Sequence, residues 1–195
     1  MTILAANNWA TNAELIEDVA RLYIDDAALV LDVTYGLGKW WTRYHPRCLL
    51  AHDLFTLDGV DFRKLPEADA TVDIVAFDPP YVSMGGRTTS TIPGMTGRYG
   101  MLDAPRTPAD LRAYIADGLA QCARVTRGLV IVKCQDYISS GTYQPATNWV
   151  IEDAATFGLD ILDRFEHVTR PRPQPPGRRQ VHARRNLSTL FVLEK

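Results

Sequence analysis

The sequence predicts an α/β protein built on a doubly wound, mostly parallel sheet with an antiparallel last strand. Four short apolar runs, at 27–31, 48–51, 73–77 and 129–132, carry that expectation first. Near-continuous apolar strands of this length suit a parallel sheet covered on both faces. Segments of helical spacing fall among these runs, and two strand-like segments close the chain as a hairpin-like pair.

Each element has a local reason. Leu15, Ile16, Val19, Leu22 and Tyr23 recur at helical spacing, with Thr11 or Asn12 as N-cap and Glu14 in the first turn. The run Ala27 to Leu31 stops at Asp32 and meets Gly36 and Gly38. Cys48 to Ala51 ends before Asp53, and Asp73 to Phe77 ends at Asp78-Pro79-Pro80. A periodic helix from Pro108 to Val125 precedes Leu129 to Val132. Pro145 to Phe157 reads as a further helix, and Leu159 to Val168 and Ser188 to Leu193 as the final strands. Asp32, Asp53, Asp78 and Lys133 all fall at strand ends, which is where doubly wound sheets bind ligands.

Composition sets outer bounds. The 195 residues are 46% hydrophobic and 23% charged, as in an ordinary globular domain rather than a disordered chain. No apolar run reaches membrane-spanning length, and 1–10 lacks the basic start of a secretory signal, so a cytoplasmic protein without membrane attachment is expected. Cys48, Cys122 and Cys134 form no CxxC pair, and His45, His52, His167 and His182 show no ligand spacing, so no metal is expected. Residues 1–80 hold six Lys and Arg against thirteen Asp and Glu, whereas 81–195 hold fifteen against ten. A basic half, nearly all arginine, points to an anionic partner on one side; solvated surface charge is the plain alternative.

The segment Asp32-Val33-Thr34-Tyr35-Gly36-Leu37-Gly38 turns through two glycines, which admit positive φ and close ligand approach. A dinucleotide loop would need glycine where Trp41 stands, and a phosphate loop would need Ser or Thr where Trp40 stands. An acidic Asp32 suits a cationic amino-acid end instead. Asp53 could accept from a ribose diol, and Asp61 from an adenine amino group with Phe62 packed on the purine. A tight structural turn is the alternative for the glycines alone.

Asp78-Pro79-Pro80-Tyr81 is the most specific feature. Neither proline has an N–H, so this edge presents only acceptors, the Asp78 carboxylate and the Pro79 carbonyl. Such a pair suits the –NH₂ of a nucleobase, whose delocalised lone pair needs localising before it attacks a methyl group. Tyr81 adds a flat surface for an extruded base.

The tetrapeptide at 78–81 is similar to the catalytic motif of class I S-adenosylmethionine-dependent amino-methyltransferases of the DNA N6-adenine/N4-cytosine type, and 32–38 resembles their cofactor loop. Thr11 to Leu15 sits where that family often has a helix over the methionine end. The resemblance implies a Rossmann-like seven-stranded methyltransferase sheet in one domain, 1–195, with S-adenosyl-L-methionine as cofactor. It implies cofactor contacts from Asn12, Asp32, Thr34, Tyr35, Gly36 and Gly38, with Asp53 on the ribose, Asp61 and Phe62 on the adenine, and Asp78 beside the methyl. Asp78, Pro79, Pro80 and Tyr81 would be catalytic. The loop departs from the family's D-P-F-x-G-x-G-T pattern at Thr34-Tyr35 and Lys39. The stretch from Asp53 to Asp61 is too short for the usual crossover helix, so that helix is expected to be lost.

No segment has the size of a separate recognition domain, which leaves substrate reading to two segments. Residues 82–107 carry five glycines, Pro93, Pro105 and Arg87, Arg98 and Arg106, and could close over a base. Residues 170–185 carry six arginines, including Arg178, Arg179, Arg184 and Arg185, with four prolines, and could lie along a phosphate backbone. Gln135 or Asp136 could also touch substrate. The expected activity is methylation of a base amine in DNA, adenine ahead of cytosine, by a monomer or homodimer. The alternatives are the same chemistry on RNA and a non-catalytic methyltransferase-like subunit that binds nucleic acid.

Overall fold

The computed structural model describes residues 9–83, 105–169, 177, 179–183 and 185–195. In chain order these form α1 (Asn12–Tyr23), β1 (Leu29–Asp32), a 3-10 turn (Lys39–Thr42), β2 (Cys48–Ala51), β3 (Val72–Phe77), α2 (Pro108–Val125) and β4 (Thr126–Cys134). A small hairpin follows, β5 (Tyr137–Ser139) and β6 (Thr142–Gln144), then α3 (Ala146–Thr156), β7 (Asp160–Val168) and β8 (Leu187–Glu194).

The main sheet has the order β2-β1-β3-β4-β8-β7. Strands β2, β1, β3 and β4 pair in parallel, and β8 runs antiparallel between β4 and β7. The expected architecture therefore stands, with six strands among the described residues rather than seven. The small hairpin, a second two-stranded sheet, was not anticipated.

The helices start where local chemistry says they should. Thr11 caps α1 by accepting the Glu14 N–H, and the Glu14 carboxylate reaches back to the Ala10 N–H. Thr107 and Asp110 form a reciprocal capping box on α2, with Pro108 in its first turn. Helix α1 buries Leu15, Ile16, Val19 and Ala20, with Trp40 and Trp41, against Val30, Ile74, Ala76, Ile131, Leu190 and Val192 on one face of the sheet. Helices α2 and α3 bury Leu111, Ile115, Leu119 and Trp149 against Leu31, Val75, Phe77, Val130, Val132 and Phe191 on the other.

Residues 52–71, between β2 and β3, contain no helix and no strand, as expected. Their aspartates explain it. Asp53 accepts the Phe55 and Thr56 N–H groups, Asp58 that of Val60, and Asp61 that of Arg63. Each is an aspartate side chain closing a local turn in competition with a helix. One consequence corrects the reading of β2 as covered on both faces. It is an edge strand with Cys48 exposed and Leu50 44% exposed, because no helix lies over its α2 side.

Gly118 shows how tightly α2 is seated. A Cβ there would lie 2.5 Å from Phe77 and 2.7 Å from Phe62, two buried rings in edge-to-face contact. Gly118→Ala gains helix propensity of about 1 kcal/mol, yet overpacking of this kind costs about 1–3 kcal/mol. Urea unfolding should find the variant less stable than the parent. A variant equal to or more stable than the parent would mean that this face is not packed as described.

Candidate active site

Parallel register brings the singled-out residues to one edge. Asp32 closes β1, level with Ala51 and Ala76 on its neighbours. Phe77 pairs with Val132, so Asp78, just past the end of β3, follows level with Lys133, which stays in β4 as the partner of Leu190 on β8. Phe77 and Val132 both belong to the core on the α2 side, and strand alternation turns Asp78 and Lys133 toward α1.

Asp32 is buried at 4% exposure. Its Oδ2 accepts the Trp41 indole N–H at 2.7 Å and its Oδ1 the Thr34 N–H at 2.9 Å. Burial pushes its pKa up to about 7, assisted by the charges of Asp78 and Asp53 and opposed by those two donors. Thr34, expected beside a cofactor, links two strand ends: its Oγ1 accepts the Asp78 N–H at 2.7 Å.

The glycine loop is held from below. Gly36 and Gly38 both have positive φ, 55° and 65°. The Gly36 N–H donates to Asp53 Oδ2 at 2.9 Å, and the Thr56 hydroxyl donates to the Gly36 carbonyl at 2.7 Å. A Cβ on Gly36 would meet nothing closer than 3.9 Å, so one side of the loop is open to approach. A Cβ on Gly38 would lie 2.6 Å from the Tyr35 hydroxyl, so Tyr35 packs beneath the turn. His52, just past β2, bridges Asp58 at 2.5 Å and Glu67 at 2.7 Å, and its carbonyl accepts the Tyr35 N–H. Burial would lower the His52 pKa, but the two carboxylates outweigh it and raise it.

Asp78 is partly buried, and Tyr81 donates its hydroxyl to Asp78 Oδ1. Burial raises the Asp78 pKa, while the Lys133 ammonium, the Tyr81 hydroxyl and the Trp40 indole each draw it back. Lys133 is 2% exposed; its Nζ donates to Asn12 Oδ1 at 2.7 Å and lies 5.4 Å over the Tyr81 ring. Tyr81 is thus fixed at its hydroxyl and faced by an ammonium, a correction to the expectation of a free stacking surface.

Two further expectations are corrected. Asp61 faces Arg63 at 2.6 Å, and although burial would raise its pKa, the guanidinium holds it low. Phe62 is 7% exposed and packs edge-to-face on Phe77 and Tyr114, so the ring belongs to the core. Gln135 donates to the Arg185 carbonyl at 2.9 Å, anchoring the basic segment to the end of β4 rather than reaching outward. The Arg185 guanidinium lies 4.8 Å over the Tyr143 ring, which is 45% exposed on the hairpin. Asp136 accepts the Thr147 N–H at 2.9 Å and caps α3, whose N-cap position holds Pro145. Arg179 is exposed. Arg87, Arg98, Arg178 and Arg184 lie outside the described residues.

Sequence reasoning left Lys133, Trp40 and Trp41 without a role. The signal was available for Lys133: a lysine in the run Val130-Ile131-Val132-Lys133-Cys134 buries a charge that needs a partner.

No family model matches the chain, and no curated protein matches it. Solved structures do. Magnesium protoporphyrin IX methyltransferase (ChlM) from Synechocystis, with bound S-adenosyl-L-methionine, is 10% identical over 94% of this chain and 79% of its own, with a TM-score of 0.52. The [4+2]-cyclase SpnF is 11% identical over 94% and 80%, with a TM-score of 0.55. The cytosine-N4-specific PvuII DNA methyltransferase is 9% identical over 66% and 44%, with a TM-score of 0.46. The chain spans about half the length of the DNA methylases among its neighbours. The likenesses to ChlM and SpnF establish the fold: the chain has the α/β fold of the methyltransferases, with antiparallel β8 set between β4 and β7 in its main sheet.

Proposed function

We propose that the chain transfers a methyl group from S-adenosyl-L-methionine to the exocyclic amine of a base in DNA, with adenine tested first and cytosine second. The observation that carries this reading is Asp78-Pro79-Pro80-Tyr81 at the end of β3, flanked by the carboxylates of Asp32 and Asp53 on adjacent strand ends. Prolines at 79 and 80 carry no backbone N–H, so the main chain there offers an arriving –NH₂ acceptors only.

The loop suits the cofactor on its own chemistry. Asp32 is a buried carboxylate whose two donors within 3 Å among the described residues, the Trp41 indole and the Thr34 amide, are both neutral, so it can take a cationic amino group. Gly36 leaves the backbone open beside it, and Asp53 retains lone pairs for a ribose diol after meeting the Gly36, Phe55 and Thr56 N–H groups. ChlM, which shares the fold, holds the same cofactor. When bound, the cofactor supplies an electrophilic methyl on a positively charged sulfur.

The rest is done by the chain. The Asp78 carboxylate accepts one amine hydrogen and the Pro79 carbonyl the other, which localises the nitrogen lone pair and aims it. Tyr81 already donates to Asp78 Oδ1, and a carboxylate has lone pairs for both donors. Asp78 then offers an acceptor for the proton that leaves the methylated nitrogen. The exposed guanidiniums of Arg179 and Arg185, in a segment tied to the end of β4, support an anionic polymer as substrate.

Asp78→Ala should lower methyl transfer by a factor of about 10²–10³ while leaving cofactor affinity within a few-fold. Mass spectrometry of nucleosides from treated DNA and RNA reads both the loss and the modified base. Near-full turnover in the variant would make the tetrapeptide a structural turn, and product in RNA alone would move the substrate class. Replacing Arg179 and Arg185 with alanine should flatten the salt dependence of nucleic-acid affinity by about 0.9 in log–log slope per lost phosphate contact. An unchanged slope would remove the segment from the interface.

A further inference from the structure

A lysine ammonium buried to 2% exposure is costly unless something compensates its charge. Around Lys133 the compensation is specific. Its Nζ is 2.7 Å from Asn12 Oδ1 at the start of α1 and 5.4 Å over the Tyr81 ring. It stands on β4 one residue past Val132, and Asp78 follows Phe77 at the end of β3; Phe77 and Val132 are register partners, and the two charges act on each other.

We propose that Lys133 is a positioning residue for methyl transfer: its buried ammonium is the fixed counter-charge of the Asp78 carboxylate and, through Asn12, ties that carboxylate to the N-terminus of α1. This rests on the reading of Asp78 as the acceptor for the substrate amine. The ionised carboxylate is the stronger acceptor for –NH₂ and the form that can take up its proton, and burial works against ionisation. Asp32, at the end of β1, is a second carboxyl on this edge, and the Asp78 charge helps to raise its pKa. On the opposing side stand Lys133, the Tyr81 hydroxyl and the Trp40 indole, of which only Lys133 carries a charge. Burial lowers the Lys133 pKa and Asp78 raises it, so each favours the charged form of the other against burial. The other titratable neighbours supply no rival cation. His167 on β7 is buried, and burial with the nearby ammonium keeps its imidazole below the ordinary range. Cys134 is buried beside Lys133, and burial keeps its thiol up. Glu14 on α1 is committed to the Ala10 N–H.

The test is the titration of the Asp78 carboxyl carbon, followed by NMR in protein labelled with ¹³C-aspartate and assigned with Asp78→Asn. In Lys133→Met the midpoint should move up in pH, and in Lys133→Arg, which keeps a cation, it should stay near that of the parent. Turnover of Lys133→Met should fall by about tenfold or more at the acid end and recover as pH rises, because a missing counter-charge displaces the acid limb upward. Where the Met variant does not fold, Lys133→Gln replaces it, since its amide can still donate to Asn12 without a charge. An Asp78 midpoint and an acid limb that stay in place without the lysine charge would overturn the proposal. The titration needs no substrate, so a wild-type chain that methylates nothing would instead overturn the methyl-transfer reading.

Discussion

Three carboxylates crowd the same edge of the sheet, and their mutual repulsion and loss of water have to be answered within a few ångströms. Asp32 is answered by the Trp41 indole and the Thr34 amide, Asp53 by the amides of Gly36, Phe55 and Thr56, and Asp78 by Tyr81 and the Lys133 ammonium. The donors are largely backbone or indole groups, which are fixed by the fold. An edge answered this way is preorganised: its acceptors point outward before any ligand arrives. The parallel register of β2, β1 and β3 makes the arrangement possible, because it ends these three strands within a residue of one another.

The connection from β2 to β3 is the other constraint. Its aspartates close turns in place of a helix, which leaves β2 at an edge with Leu50 uncovered. The strand is secured from its far end instead. His52 bridges Asp58 and Glu67, its N–H donates to the Asp32 carbonyl, and its carbonyl takes the Tyr35 amide. The cofactor loop and the shortened crossover are thereby one hydrogen-bonded unit, and economy in the fold has been achieved without releasing the glycine turn.

Much of this was legible in the residues. Apolar runs ending in acids marked β1, β2 and β3, Thr11 or Asn12 marked the start of α1, and apolar periodicity from Pro108 marked α2. The shortness of the stretch from Asp53 to Asp61 foretold the missing helix. What stayed illegible depended on three-dimensional partners. Phe62 next to Asp61 looks like a ring beside a polar handle, and only the approach of α2 at Gly118 makes it core. Gln135 looks like a substrate contact until the carbonyl of Arg185 arrives from 50 residues away. The β5–β6 hairpin lies in a stretch of mixed polarity whose pairing rests on the Ser140-Gly141 turn, both at positive φ, a local signal too short to outweigh its surroundings.

The central claim is that the strand-end carboxylates form a site for a cofactor with a cationic amino-acid end. Calorimetric titration of the wild-type chain with S-adenosyl-L-methionine, in buffers of different ionisation enthalpy, tests it most directly. Asp32 has a pKa of about 7, so at neutral pH part of the protein carries a proton there. A cationic group beside it favours the ionised form and expels that proton. The account predicts one molecule bound per chain, proton release near pH 7, and affinity that rises from pH 6 to pH 8. Absence of binding, or binding with proton uptake and affinity that falls over the same interval, would contradict it.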